Sequence, residues 1–273
     1  MPSKFDIVGE RHAIVEFQAI LRFINPLDPG GMSEVAAAID RNAQTMELPA
    51  KLVVPTFKFE LGGGGGGPSI SPPSTSFGFQ RFSPDGKIEA RIAADSNSIS
   101  YLSREYPGWD VVRTTLTDFF GSVGQAFYKR SQLIGGVLIQ YANQFSSINV
   151  GYHEVSEIFR EDSPWVSGIS RASPDLWHSH VGQFIPDDHC KKLVNVNVDV
   201  VLASTPDREG DFTEARVMIV AAKQFDVPGA KPLLLLPDEA PEQIAAHFDD
   251  IHALEKEVLR STLSDQYLIK VNA

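Results

Sequence analysis

Residues 193 to 203 read LVNVNVDVVLA, and this stretch decides the fold class. Apolar residues alternate there with polar ones, because Asn195, Asn197 and Asp199 separate the aliphatic side chains. Side chains of a strand point alternately to the two faces of a sheet, so this period of two predicts a half-buried strand. The positions that we expect to face a core are Val194, Val196, Val198, Val200 and Leu202.

The segments on either side of this strand complete an antiparallel meander. Residues 177–185 and 215–225 also read as strands, and an earlier strand over 138–145 is followed by a short helical piece over 153–160. A closing helix over 241–263 has an apolar stripe at helical spacing, which is typical of a helix that packs on a sheet. The stripe consists of Ile244, Phe248, Ile251, Leu254 and Val258.

The N-terminal part of the chain repeats this order of elements. A strand over 13–24 precedes a helix, a hairpin turns at residues 83–86 (SPDG), and a long amphipathic helix follows over 107–131. We therefore predict an α+β protein with two similar halves, residues 1–133 and 134–273. Each half is expected to contain a strand, a helix and a three-stranded antiparallel meander, covered by its long amphipathic helix.

Residues 62–74 read GGGGGGPSISPPS and resemble a motif more than any other segment does. A phosphate-binding loop needs its glycines to lead into Lys-Ser or Lys-Thr at the start of a helix. Here Gly67 is followed by Pro68, and no cation or helical period comes after it. The segment 62–76 is therefore predicted to be a disordered connector inside the first half, because fixing glycine-rich backbone is entropically costly.

Composition excludes some classes of partner. The 273 residues carry 35 acidic against 24 basic side chains, a formal charge of −11. An acidic surface repels the phosphate backbone, so we expect no nucleic-acid partner. Apolar runs such as 133–139 and 232–237 are far shorter than the ~20 residues that span a bilayer. With one cysteine, Cys190, and no apolar leader at the N-terminus, we expect no membrane association and a cytoplasmic location.

One histidine-rich segment is a candidate metal site. His178 and His180 stand on one face of the predicted strand, a spacing that zinc ligands use. His189 follows Pro186 and could return as a third ligand. The same residues also fit a solvent-exposed face of a sheet followed by a polar turn. No HExxH or CxxC metal-binding pattern accompanies them. We therefore expect no metal and no other cofactor, and we keep a metal-dependent hydrolase as an alternative.

The closing helix holds a second group of candidate residues. His252 follows Asp249 by three positions, so the two side chains can hydrogen-bond on one face of the helix. Glu255 falls inside the apolar stripe, where a buried carboxylate needs a partner. Arg22, Arg91, Arg113 or another chain could supply that partner. We name His252, Asp249 and Glu255 as the candidate binding residues, with a structural latch between helix and sheet as the favoured interpretation.

Four segments carry a family resemblance: VEFQAILRF (15–23), QRFSPDGKIEARI (80–92), YPGWDVVRTTL (106–116) and DDIHALEKEVLRSTLSD (249–265). Together they resemble a sporadically distributed family of uncharacterised prokaryotic proteins, known mostly as conserved hypothetical proteins. The likeness covers nearly the whole chain and departs from the family pattern at the Gly/Pro insert. The resemblance implies no activity. The patchy occurrence of the family implies an accessory role in mobile or defence-type loci.

Taken together, the residues favour a binding protein over an enzyme. We find no GxSxG nucleophile elbow, no phosphate loop and no strong metal pattern, so no catalytic residue is assigned. The primary prediction is a non-enzymatic interaction protein that self-associates or binds a protein partner through an exposed sheet edge. The alternatives are a metal-dependent hydrolase that uses His178, His180 and His189, and a small-molecule sensor that binds its ligand between the two halves.

Overall fold

The computed structural model describes residues 4–9, 12–56, 59–60, 69–70, 74–173, 175–205, 208–236 and 238–271. Within these ranges the chain forms one large antiparallel sheet, a separate two-stranded sheet and five α-helices. This architecture confirms the predicted α+β class and the predicted antiparallel sheet. No helix in the described ranges is long and apolar enough to cross a membrane.

The elements follow the chain in this order. The strands are β1 Phe5–Ile7, β2 Ile14–Phe23, β3 Ala50–Thr56, β4 Phe59–Glu60, β5 Ser69–Ile70, β6 Ser74–Phe82, β7 Ile88–Ala94, β8 Ser98–Ser103, β9 Ile134–Ser147, β10 Trp177–Pro186, β11 Lys191–Thr205 and β12 Arg208–Gln224. The helices are α1 Pro29–Thr45, α2 Trp109–Lys129, α3 Gly168–Arg171, α4 Ala240–Thr262 and α5 Asp265–Val271, with one 3-10 turn at Ser156–Ile158.

The large sheet runs in the order β10-β11-β12-β9-β2-β8-β7-β6-β3, and β1 adds to β9. Every pairing in it is antiparallel, and β2 and β9 lie side by side at its centre. Their register pairs Phe17 with Tyr141 and Ala19 with Ile139. Strands from both sides of residue 133 therefore share one continuous hydrogen-bonded sheet, whose two outer strands are β10 and β3.

One face of the sheet packs against the helices. Residues such as Phe17, Ile92 and Ile139 are buried there in one hydrophobic cluster with side chains of α1, α2 and α4. The opposite face, which we call the open face, carries a lateral row of apolar residues at one level of the register: Phe184, Leu193, Ala222, Leu138 and Ile20. Exposure on this face ranges from buried Ala222 to Phe184, which is 58% exposed.

Helices α2 and α4 cross at close range on the buried face. A Cβ atom on Gly121 would lie 3.2 Å from Cγ of Pro241, and one on Gly124 would lie 3.2 Å from the Cβ of Ala240. Glycine at these two positions of α2 lets the backbones approach without a clash. Phe120 then stacks on Phe248, with 5.5 Å between the ring centroids. This contact places the start of α2 beside the middle of α4.

Several elements differ from the sequence-based expectation. Residues 153–160 form only the 3-10 turn, because Val155, Ile158 and Phe159 are buried in the second hydrophobic cluster without a helical ladder. Helix α5 was not predicted. Leu202 was expected to face the core but is 43% exposed, since β11 continues beyond the buried part of the sheet toward a register shift between Ala203 and Thr205.

The glycine-rich segment is largely outside the described residues. The prediction of a disordered connector over 62–76 therefore stays a prediction for 62–68 and 71–73. Within the described part, Ser69–Ile70 pairs with Phe59–Glu60 as a two-stranded sheet, and residues from Ser74 onward belong to β6.

Candidate functional site

A group of polar and aromatic side chains, which we call the His252 cluster, lies where the start of α2 meets the middle of α4 and the centre of β9. It consists of Trp109, Arg113, Tyr141, Asp249 and His252. The His252 ring stacks on Trp109, with centroids 3.9 Å apart, and its Nδ1 lies 2.9 Å from the hydroxyl oxygen of Tyr141. Trp109 Nε1 and Arg113 Nε donate to the Asp249 carboxylate at 3.1 and 2.9 Å.

Two of the predicted binding residues thus lie in one cluster, but they do not bond in the predicted way. Asp249 was expected to hydrogen-bond with His252 along α4. Instead, Asp249 accepts from two side chains of α2, and His252 contacts Tyr141 of β9. Sequence reasoning missed Trp109 and Tyr141, since only the paired strands and crossed helices bring them to α4. Asp249 and His252 are three positions apart on α4, yet each of them contacts a partner on a different element.

Burial controls protonation in this cluster. Desolvation, together with the nearby Lys256 ammonium, lowers the pKa of His252 to about 4, so its imidazole is neutral at neutral pH. Burial also raises the pKa of the Tyr141 phenol well above its usual value. Tyr106 packs edge-on against Tyr141 at 5.6 Å, and burial raises its pKa to about 12. The imidazole and both phenols are therefore uncharged at neutral pH, and they pack against one another and against Trp109 between the helices and the sheet.

Glu255 lies one helical turn beyond His252 and is only 2% exposed. Burial raises the pKa of its carboxyl from 4.5 to about 7. None of the three arginines suggested by the sequence pairs with it. Arg22 donates to Asp226, Arg113 binds Asp249, and Nε of Arg91 has no hydrogen-bond partner. Glu255 is thus a buried acid that is near its titration point at neutral pH.

A second polar group joins α4 to the sheet, and the sequence analysis did not assign it. The Asp250 carboxylate binds Lys192 at 3.0 Å and Lys223 at 2.5 Å. Lys192 also binds Asp187 at 3.1 Å, and Lys223 lies 3.3 Å from Nδ1 of His247. Burial and the neighbouring Lys223 ammonium lower the pKa of His247 to about 4. The charges balance within the group, whose ion pairs join α4 to β11 and β12.

The structure does not bring the candidate metal ligands together. His178 and His180 are exposed on β10, which runs straight on to Pro186 before the turn that holds His189. Six residues of extended strand separate His180 from Pro186 by roughly 20 Å. The described residues contain no group of three or more His, Cys, Asp or Glu side chains placed to hold a metal ion. The alternative in which His189 returns to the two strand histidines as a third ligand is therefore not supported by the described residues.

The two outer strands of the large sheet differ in chemistry. The β3 edge carries an exposed Lys51 and, at Pro55, a residue without a backbone N–H to donate. Both features discourage pairing with another strand. The β10 edge is ten residues long, contains no Asp, Glu, Lys or Arg, and pairs only with β11 among the described strands. The outer side of its backbone therefore has no paired strand among the described residues.

Two clefts of the surface lie within the first predicted half, not between the two halves. Clefts of about 680 and 590 Å³ are lined wholly by residues before 108. The second of these is formed by side chains that include His12, Lys87, Arg104 and Tyr106. These positions give no support to ligand binding at the boundary near residue 133.

The comparisons with known proteins give no family name to this arrangement. No protein-family model matches the chain. No curated protein matches its sequence either.

Proposed function

We propose that this chain is a non-enzymatic interaction protein of the prokaryotic cytoplasm, which binds a protein through the free edge of β10. The observation that carries the proposal is the contrast between the two outer strands. Natural sheets protect exposed edges with charged side chains, proline or short strands. Lys51 and Pro55 protect β3 in this way, whereas β10 includes no charged side chain and its one proline, Pro186, is the last residue of the strand.

The polar clusters support a binding role over a catalytic one. His252 is stacked on Trp109 and in contact with Tyr141, and Asp249 is occupied by Trp109 and Arg113. A nucleophile or base needs room beside it for a substrate, and these groups are taken up by contacts within the protein. The acidic charge of −11 favours a protein partner over a nucleic acid.

The strand order supports an internal duplication of units 1–133 and 134–273. Outward from the centre, one side reads β2-β8-β7-β6-β3 and the other reads β9-β12-β11-β10. In both series the central strand, β2 or β9, is followed by the last strand of its unit and then by the two strands before that one, whereas β1 and β3 have no counterpart in the second unit. The long helices α2 and α4 close the two units. We assign this duplicated fold to the sporadic prokaryotic family that the motifs resemble, with an accessory role in a mobile or defence-type locus.

The edge proposal is tested by charging β10. We expect the double variant His180→Lys/Phe184→Lys to lose binding, because both side chains are exposed and lysine on an edge strand opposes pairing. Val53→Lys, at an equally exposed site on β3, is the matched control. Sedimentation of the pure protein and affinity capture from its native host measure self-association and partner binding. If the charged β10 variant behaves as wild type in both assays, the proposal is wrong.

A further inference from the structure

We infer that the occupant of the β10 edge is a second copy of this chain, paired antiparallel about a two-fold axis through Val181. This inference rests on the proposed function and names the partner. A two-fold contact is self-complementary, so every residue of the strand must suit the residue that the axis places opposite it. β10 meets this condition over its whole length, from Trp177 to Ile185, in the register centred on Val181.

The two-fold axis is perpendicular to the sheet. The helix-side face of one copy therefore continues into the helix-side face of the other, and the open face into the open face. On the helix-side face, Val181 meets Val181 of the second copy, Ser179 meets Gln183, and Trp177 meets Ile185. Apolar residues thus oppose apolar ones and polar residues oppose polar ones, which stabilises cross-strand pairs. Trp177, Val181 and Ile185 are only partly buried at the rim of the second hydrophobic cluster. Pairing in this register would extend that cluster across the interface.

The open face matches in the same register. His178 meets Phe184 of the second copy, and His180 meets Gly182. Phe184 is 58% exposed in the single chain. In the dimer, the Phe184 ring of each copy would lie beside the His178 ring of the other. A register centred one residue later, on Gly182, fits less well, because it sets Val181 against Gln183 and Ser179 against Ile185. Registers centred on Ser179 or Gln183 also oppose apolar with apolar residues on the helix-side face, but they pair fewer residues of β10, so we take Val181 as the centre.

Charge and area set the strength of the contact. Two chains of charge −11 repel each other, but β10 itself is uncharged, so no like charges meet in the ladder. Ten residues of edge, ~33 Å long in a layer ~10 Å thick, give a footprint of about 330 Å² on each subunit. Stable dimers bury about 800 Å² on each subunit. Ile169 and Leu176, 88% and 42% exposed beside β10, add apolar surface, and we expect a weak, concentration-dependent dimer.

A charge-rescue experiment tests both the partner and the register. We expect Phe184→Glu to weaken dimerisation at least tenfold in sedimentation, since it replaces the aromatic ring that packs on His178 of the second copy with a carboxylate. Adding His178→Lys should restore the dimer at low salt, because residue 178 faces residue 184 of the second copy. His180→Lys on the same Phe184→Glu background is the matched control and should not restore it. Rescue by His180→Lys alone would show the Gly182-centred register and overturn the Val181 axis.

A crosslink gives an independent readout. With Cys190→Ser as background, Val181→Cys should form a dimer by air oxidation, since directly opposed Cα atoms lie within disulfide range. Gln183→Cys should not, because the axis separates its two copies by roughly 13 Å. If wild type stays monomeric at every concentration while the charged β10 variant loses a host partner, the second copy is wrong but the interaction edge stands. If neither is affected, both proposals fail.

Discussion

Replacing Glu255 by glutamine should change how stability depends on pH. The carboxyl is buried in α4, with a pKa raised from 4.5 to about 7. The folded state holds this proton more tightly than the unfolded state does. The contribution of the protonated carboxyl to wild-type stability is therefore fully present below pH 4.5, and it is lost as pH rises through 7. At about 1.4 kcal/mol per pKa unit, the loss amounts to about 3 kcal/mol. Glutamine has nearly the same shape and does not ionise.

Urea unfolding followed by tryptophan fluorescence, from pH 4 to pH 8.5, measures the difference. We expect the glutamine variant and wild type to have similar free energies of unfolding near pH 4, and the variant to be about 3 kcal/mol more stable above pH 7.5. His247 and His252 also titrate, but they do so in both proteins and cancel in the difference. Glu257→Gln, exposed on the same helix, is the control and should show no such divergence. A gap between wild type and Glu255→Gln that stays constant with pH would refute the reasoning.

Three further predictions concern the packing of α4. Asp250→Asn should cost about 2–3 kcal/mol in urea unfolding, because it leaves two half-buried lysines without their shared carboxylate. Asp249→Asn breaks a more exposed ion pair and should cost under about 1 kcal/mol, so equal losses would contradict this assignment. Gly121→Leu should lower stability by about 1–3 kcal/mol by forcing α2 away from Pro241, with Gly121→Ala intermediate in thermal unfolding. The pKa of His252 is lowered to about 4, so its contribution to stability is present above pH 6.5 and lost as pH falls toward 4. His252→Phe should reduce that acid loss, and an unchanged acid slope would argue against it.

Local patterns predicted the elements whose period is regular. The alternation in β11 identified a strand, and the apolar stripe of α4 placed that helix within one residue at each end. β9 was predicted too short, because Gly135 and Gly136 have no side chains to show a period at its start. The histidines of β10 suggested a ligand set only while the course of the strand was unknown.

Pairings between distant elements could not be predicted in the same way. Nothing local to Tyr141 indicates that His252 lies above it, since that contact depends on the β2–β9 pairing and on the crossing of α2 over α4. The burial of Glu255 could be predicted from helical angle alone. That neither Arg22 nor Arg113 pairs with it could not be predicted, because both arginines have partners of their own in space.

The side-by-side placement of β2 and β9 has a consequence for any severed form of the chain. A nick between Ser131 and Leu133 leaves every helix and strand whole, yet it lies beside the seam where β2 and β9 share their ladder from Ile14 to Phe23. Each fragment expressed alone would expose to water the apolar side chains and the unpaired backbone N–H and C=O groups of its central strand. We expect the fragments to be insoluble when expressed apart and to reconstitute the native molecule when expressed together, which makes this loop a natural point for a split reporter.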